Sequence, residues 1–234
     1  DLLLYGMGEH SILEVADLLA KGVPVREIRN VRGSCWYTSK ESEIPLKDEN
    51  DNSPIFLPSF EEISAQTDES KTEFAKSFVI QEQNTDSINA CILVEKSDSR
   101  FVVQNKPALP LSTDEFDKIM ELPYIRRWHP MYDKPASNGK SGVPALAEVQ
   151  FSLTSVRGCF GACSFCAITF HQGRRIQARS HESLVKEAEK LTKLPDFKGY
   201  IHDVGGPTAN FRNPSCQKQL ESGVCKNKQC LGNI

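Results

Sequence analysis

Three cysteines within one short run constrain this chain more than any other feature. Gly158-Cys159-Phe160-Gly161-Ala162-Cys163-Ser164-Phe165-Cys166 sets thiols at C-x3-C-x2-C spacing, directly behind a strand-like stretch that begins at Val149. Pairing them as a disulfide leaves one thiol over and puts the partners very close in sequence. A structural zinc site takes four ligands, and His171, five residues beyond Cys166, is a candidate fourth. A 4Fe–4S cube is commonly held by four thiolates. Three leave one iron open, as a catalytic metal keeps an open position for a substrate or cofactor. Gly158 and Gly161 let the backbone bend tightly around such a cube. Phe160 and Phe165 would shield it from water and tune its potential. Spacing alone leaves two readings, a non-catalytic zinc- or iron–sulfur-binding module and a catalytic centre.

The flanks say what carries the run. Val149 to Val156 alternates in part with period two and reads as a strand, ended by Arg157-Gly158. Ser180 suits an N-cap, Glu182 the first turn, and Leu184, Val185, Ala188 and Leu191 a helical stripe to about Lys193. Gly199 to Val204 is a second strand, with His202 expected in its core, and Gly205-Gly206-Pro207 ends it. Strand, helix and strand with this crossover imply a parallel βαβ unit. Arg174, Arg175 and Arg179 form either a basic rim near an anionic ligand or a solvated approach to the helix.

Upstream, Leu2 to Tyr5 is a short strand broken by Gly6 and Gly8. A helix follows with Ile12, Val15, Ala16 and Leu19 on its apolar face and Gly22 as its stop. With a strand at Ser34 to Tyr37, this opening predicts the tail of a doubly wound α/β domain over residues 1–125. Residues 39–75 read as a polar, solvent-exposed insertion centred on Lys47 to Asn52, without chemistry, with a helix near 69–80. Ser112 and Glu115 predict a capping box ahead of a helix bearing Phe116, Ile119 and Met120. Residues 126–148, rich in Pro and Gly, read as a linker. Its Arg126, Arg127, Trp128, His129 and Tyr132 suit base stacking, but no repeated pattern supports a nucleic-acid surface, so a pinned surface segment is the better reading.

Of the 234 residues 39% are hydrophobic and 25% charged, which suits a globular chain. A net charge of -3 gives no general attraction to nucleic acid or anionic membrane. No apolar stretch is long enough to span a bilayer. The start lacks a basic region, a cleavage site and a Met, so a cytoplasmic protein that is processed, or a piece of a longer chain, is expected. Without a secretory signal, clustered cysteines point to metal or catalysis. A second trio, Cys216-x8-Cys225-x4-Cys230, has Lys218, Lys226 and Lys228 close by. It reads as a further metal site or as surface thiols.

The cysteine run, with an aromatic before its last Cys, resembles the radical S-adenosylmethionine (SAM) superfamily. The longer string Ser155 to Thr169, running on into His171-Gln172-Gly173-Arg174, resembles the YgiQ family of uncharacterised radical SAM proteins, as does Asp203-Val204-Gly205-Gly206-Pro207-Thr208-Ala209-Asn210. Tyr5-Gly6-Met7-Gly8-Glu9, Leu122-Pro123-Tyr124 and His129-Pro130 share the likeness. It implies that Cys159, Cys163 and Cys166 hold a 4Fe–4S cluster whose fourth iron takes SAM. One electron would then cleave SAM to methionine and a 5′-deoxyadenosyl radical, which abstracts hydrogen from an unidentified substrate. It further implies that Gly205, Gly206, Pro207, Thr208 and Phe165 belong to the cofactor-binding set. Pro207 stands where other branches of the superfamily carry Glu. Such proteins carry a further Cys beyond Cys230. The fold implied is α/β: the end of the doubly wound domain, then over 149–234 the first strand, first helix and second strand of a partial TIM-like barrel. A complete barrel takes about 250 residues, so truncation at both ends is expected. A small electron-donor protein is the implied partner, no membrane is, and RNA as substrate rests on analogy alone. No Asp-x-His-x-x-Gly cobalamin motif occurs in the chain.

Overall fold

The computed structural model describes residues 1–135, 137, 139–206, 209, 211–227 and 230. The chain forms two compact units. The first comprises Asp1–Pro110, Gly158–Arg175 and the described residues from Pro214 on; the second comprises Leu111–Arg157 and Ile176–Asn213. In chain order come β1 (Leu2–Leu4), α1 (Glu9–Ala20), β2 (Ser34–Thr38), β3 (Ile55–Phe56), α2 (Phe60–Ser64), α3 (Asp68–Gln83), β4 (Leu93–Ser97) and β5 (Arg100–Gln104). There follow α4 (Thr113–Met120), α5 (Leu146–Val149), β6 (Ser152–Thr154), β7 (Val156–Arg157) and α6 (Ile168–Gln172). The last are β8 (Gln177–Ala178), α7 (His181–Leu191), β9 (Asp203–Gly205) and α8 (Lys218–Ser222). Among the described residues no helix is long and apolar enough to cross a membrane.

The first unit is built on a mixed sheet of order β1-β2-β5-β4-β3. β1 runs antiparallel to β2, with Leu3 opposite Cys35, and β2 antiparallel to β5. This sheet is therefore not the parallel sheet of a doubly wound domain. The passage from Lys21 to Gly33 turns the chain back, so that β2 enters from the end at which β1 leaves; the Tyr5 N–H donates to the Gly33 carbonyl at 2.8 Å. Trp36, Ile44, Ile92, Val94 and Val103 form one core cluster, and Val15, Ile28 and Val31 another. α1 buries Ser11 and Val15, whereas Ile12 and Leu19 of the expected stripe are exposed. The helix is turned that way because the Ser11 hydroxyl donates to the Arg32 carbonyl at 2.6 Å.

The polar insertion is part of this sheet. It supplies β3, which pairs parallel with β4 through the crossover of α2 and α3. Its acidic centre also closes over a buried lysine. The Lys106 side chain is 1% exposed and lies 3.3 Å from Asp48 Oδ2 and 3.1 Å from Glu49 Oε1. Asp48 Oδ1 accepts from the backbone N–H of Asn50 at 2.8 Å and of Asn52 at 2.9 Å. Burial pushes the Asp48 carboxyl up, but the Asn52 and Asn50 hydrogen bonds and the Lys106 ammonium outweigh it and hold the group below its ordinary value.

The second unit carries the expected βαβ. β6 pairs parallel with β9, Thr154 facing Gly205. α7 crosses between them, capped by the Ser180 hydroxyl, which accepts from the Ser183 N–H. Phe151, Leu153, Leu184 and Leu191 form its core. The Ser112–Glu115 capping box is present at α4, and α4 buries Phe116 fully. His202 departs from expectation. It is exposed and stacks on Tyr200 with ring centroids 4.9 Å apart.

Lys106→Met leaves the Asp48 carboxylate buried without its counter-charge. The expected loss is about 3–5 kcal/mol of stability, read by urea unfolding. The double variant with Asp48→Asn is expected to lose less than the two singles added. Because the folded Asp48 pKa lies below its unfolded 3.8, its contribution is complete above that pH and falls away as pH drops through the folded value. A loss under about 1 kcal/mol would mean that the pair is not coupled.

Candidate metal centre

The cysteine run is a loop between β7 and α6, pinched at its base. The Gly158 N–H donates to Gln172 Oε1 at 3.1 Å, and the Cys159 N–H to the Gly173 carbonyl at 3.1 Å. Gly158 has φ +82°, and a Cβ there would run into the Arg175 carbonyl oxygen, so only glycine fits. The far end closes as a turn in which the Cys166 N–H donates to the Cys163 carbonyl at 3.0 Å. The Gly161 N–H points at Cys159 Sγ, 3.4 Å away. Beside the loop, a Cβ on Gly6 would lie 3.5 Å from the His171 carbonyl oxygen, so the β1–α1 turn runs close to α6.

The loop shows its chemistry at its tip. Cys163 is exposed, and Cys159 and Cys166 are half-buried. The two aromatics part company: Phe160 is 8% exposed and Phe165 91%. Only Phe160 is thus placed to exclude water from the loop. His171 is exposed. None of the eight cysteines is in a disulfide. Among the described residues no three His, Cys, Asp or Glu side chains converge at metal-holding distance. The donor set still fits a thiophilic centre, because the thiols share one glycine-hinged loop with an accessible tip.

In the second unit, Gly205 ends β9, and its carbonyl accepts from the Ser155 N–H at 2.9 Å. A Cβ on Gly206 would meet Val156 Cγ2 at 2.6 Å. Pro207 and Thr208 lie outside the described residues. Two of the three arginines that could form a basic rim or a solvated approach, Arg174 and Arg179, do neither. Arg174 is 3% exposed and Arg179 1%. Arg174 donates to the Cys225 carbonyl at 3.2 Å, and Arg179 pairs with Glu187. Of the second trio, Cys216 is exposed and Cys225 and Cys230 are half-buried. Sequence reasoning missed the donor from Gly161 and the burial of both arginines, which no residue pattern announces. A cavity over Trp36, lined by Arg26, Arg29, Tyr37 and Lys40 among others, includes none of the candidate site residues.

Residues 1–152 match the family model described as Radical SAM N-terminal. The chain is also similar to the UPF0313 protein of Clostridium botulinum (strain 657 / Type Ba4), with 52% identity over 99% of this chain and 34% of the relative. Against the UPF0313 protein of Clostridium perfringens (strain 13 / Type A) the identity is 48%, over 99% of this chain and 33% of the relative. The chain thus spans about a third of the length of the curated relatives it matches.

Gly158→Ala adds a left-handed backbone penalty to a clash with a carbonyl. It is expected to cost about 2–4 kcal/mol and to open the loop to proteolysis. Gly8→Ala, where a Cβ meets nothing within 4 Å but the residue is the N-cap of α1, is the control and is expected to cost no more than about 1 kcal/mol. Equal stability of the two variants would show that the base of the loop is not pinched.

Proposed function

The chain belongs to the radical SAM N-terminal family, as the YgiQ-like resemblance implies, and from that membership we propose that the full-length protein is a radical SAM enzyme with its cluster on Cys159, Cys163 and Cys166. The observation that carries this reading is the loop itself: three thiols on one hinged segment that leaves a strand, with the middle thiol and a neighbouring aromatic in solvent. When bound, a 4Fe–4S cluster with three protein ligands supplies one electron and an open iron for cleaving SAM to methionine and a 5′-deoxyadenosyl radical.

The chain's own residues have defined parts in this reading. The Gly161 N–H, aimed at Cys159 Sγ, would withdraw charge from that sulfur and raise the potential of a cluster held there. Phe160 keeps water from the loop's inner side, and exposed Phe165 offers a face for the adenine. β6, α7 and β9 are the first strand, helix and second strand of a TIM-like barrel. β6 and β9 run parallel, so the residues that follow them leave that pair at one edge, where sites form in α/β sheets. Gly205 and Gly206 lie at that edge; the Gly205 carbonyl is taken by the Ser155 N–H, so the Gly206 backbone is the part assigned to the methionine ammonium. The missing side chain at 206 lets that backbone pack against Val156; Pro207 and Thr208 are assigned to the same cofactor-binding set. An electron-donor protein and a reducing, cytoplasmic setting go with the reading; RNA as substrate is carried by analogy alone.

Anaerobically prepared full-length protein is expected to be brown. Cys163→Ala is expected to remove about four iron with matching sulfide. After reduction with dithionite, chromatography is expected to show methionine and 5′-deoxyadenosine formed slowly from SAM without substrate. Zinc without sulfide at these cysteines would favour the non-catalytic module. Intact SAM beside a loaded, reduced cluster would sink the enzyme reading.

A further inference from the structure

Two thiols of the second cysteine trio are reached by side chains of one short helix, α8. Cys216 lies just ahead of α8. From α8, Lys218 Nζ reaches Cys225 Sγ at 3.8 Å, and Gln219 Nε2 reaches Cys230 Sγ at 3.5 Å. Gln219 is 2% exposed. Its Oε1 accepts from the Ser215 N–H at 3.2 Å, which fixes the amide so that its NH2 faces the sulfur. One buried amide therefore links the residue beside Cys216 to the thiol of Cys230. The adjacent residue holds the thiol of Cys225.

The backbone around Cys225 is held on several sides. The Arg174 guanidinium donates to the Cys225 carbonyl at 3.2 Å, and Asn89 Nδ2 to the Val224 carbonyl at 2.7 Å. Gln83 Nε2 donates to Asn227 Oδ1 at 2.9 Å. Gly223, at φ +78°, is pressed so closely on Asp86 that a Cβ would collide with Oδ2. So much long-range anchoring of a short polar segment fits a segment that must present its thiols in a fixed place.

We propose that Cys216, Cys225 and Cys230 bind a second thiophilic metal, zinc or an iron–sulfur cluster, around α8. Thiolates select soft and borderline metals over magnesium or calcium. N–H donors aimed at sulfur are what metal-bound thiolates take up, while a neutral thiol is a weak acceptor. The Lys218 ammonium offsets the negative charge that three thiolates bring. Cys216, exposed, has room to swing inward and close the set. The site would fasten this segment to the end of α3 and to Arg174. It does not rest on SAM chemistry.

The test uses anaerobic full-length protein. A Cys159→Ala, Cys163→Ala, Cys166→Ala variant lacks the first centre. It is expected to retain about one zinc, or about three to four iron with sulfide. That metal is expected to be lost when Cys216, Cys225 and Cys230 are also changed to Ser. Cys216→Ser alone, on an exposed residue, is expected to keep the fold by circular dichroism and to weaken metal retention against a chelator at least about tenfold. If the first variant holds no metal and its three remaining trio thiols alkylate as fast as in urea, the proposal is overturned. Metal retained after the trio is changed to Ser overturns it too.

Discussion

One buried guanidinium holds the second unit together. The Arg179 side chain is fully buried, paired with Glu187 and lying 3.9 Å from Asp117. It donates to the Thr154 carbonyl at 3.2 Å and to the Ser183 carbonyl at 3.1 Å. Its own N–H donates to the Ser155 carbonyl at 3.0 Å, and its carbonyl accepts from Arg212 at 2.7 Å. Strand β6 and helices α4 and α7 thus meet on one side chain, and residue 212 joins them through the backbone carbonyl of the same residue. A charge so far from water is tolerable only with this complement of partners. Ser155, held by Arg179 on one side, bonds Gly205 on the other, so the ends of β6 and β9 are set by the same contact.

Local chemistry was the legible part of the fold. The capping box at Ser112 and the N-cap at Ser180 follow from neighbouring residues, and the parallel pairing of β6 with β9 from the helix α7 that lies between them in sequence. Strand direction in the first unit was not legible. A strand, a glycine and an amphipathic helix precede parallel and antiparallel partners alike, and the return path through Lys21 to Gly33 decides between them. The same limit hid Lys106: Lys47 to Asn52 looks like solvated charge until the lysine that it covers, far along the chain, is placed beneath it.

At the cysteine loop, sequence carried the candidate donors and the structure carried their setting. Cys159, Cys163 and Cys166 stand out by spacing. The need for glycine at 158 is clear only from the position of the Arg175 carbonyl. Arg174 and Arg179 show why basic residues near a site mislead. Both spend their charge inside the protein, on Glu82 and on Glu187, so neither is a rim for a ligand's carboxylate.

The first unit is discontinuous in sequence, its later pieces being Gly158–Arg175 and the residues from Pro214 on. During synthesis the sheet from β1 to β5 leaves the ribosome long before these pieces. The bond between Gln83 and Asn227 spans 144 positions, a separation whose closure entropy must be met before the contact repays it. The sheet can form early, while the end of α3 waits for its partners and both cysteine segments are still open. Vectorial folding therefore leaves the thiol-bearing pieces to be fitted late, onto a scaffold that already stands.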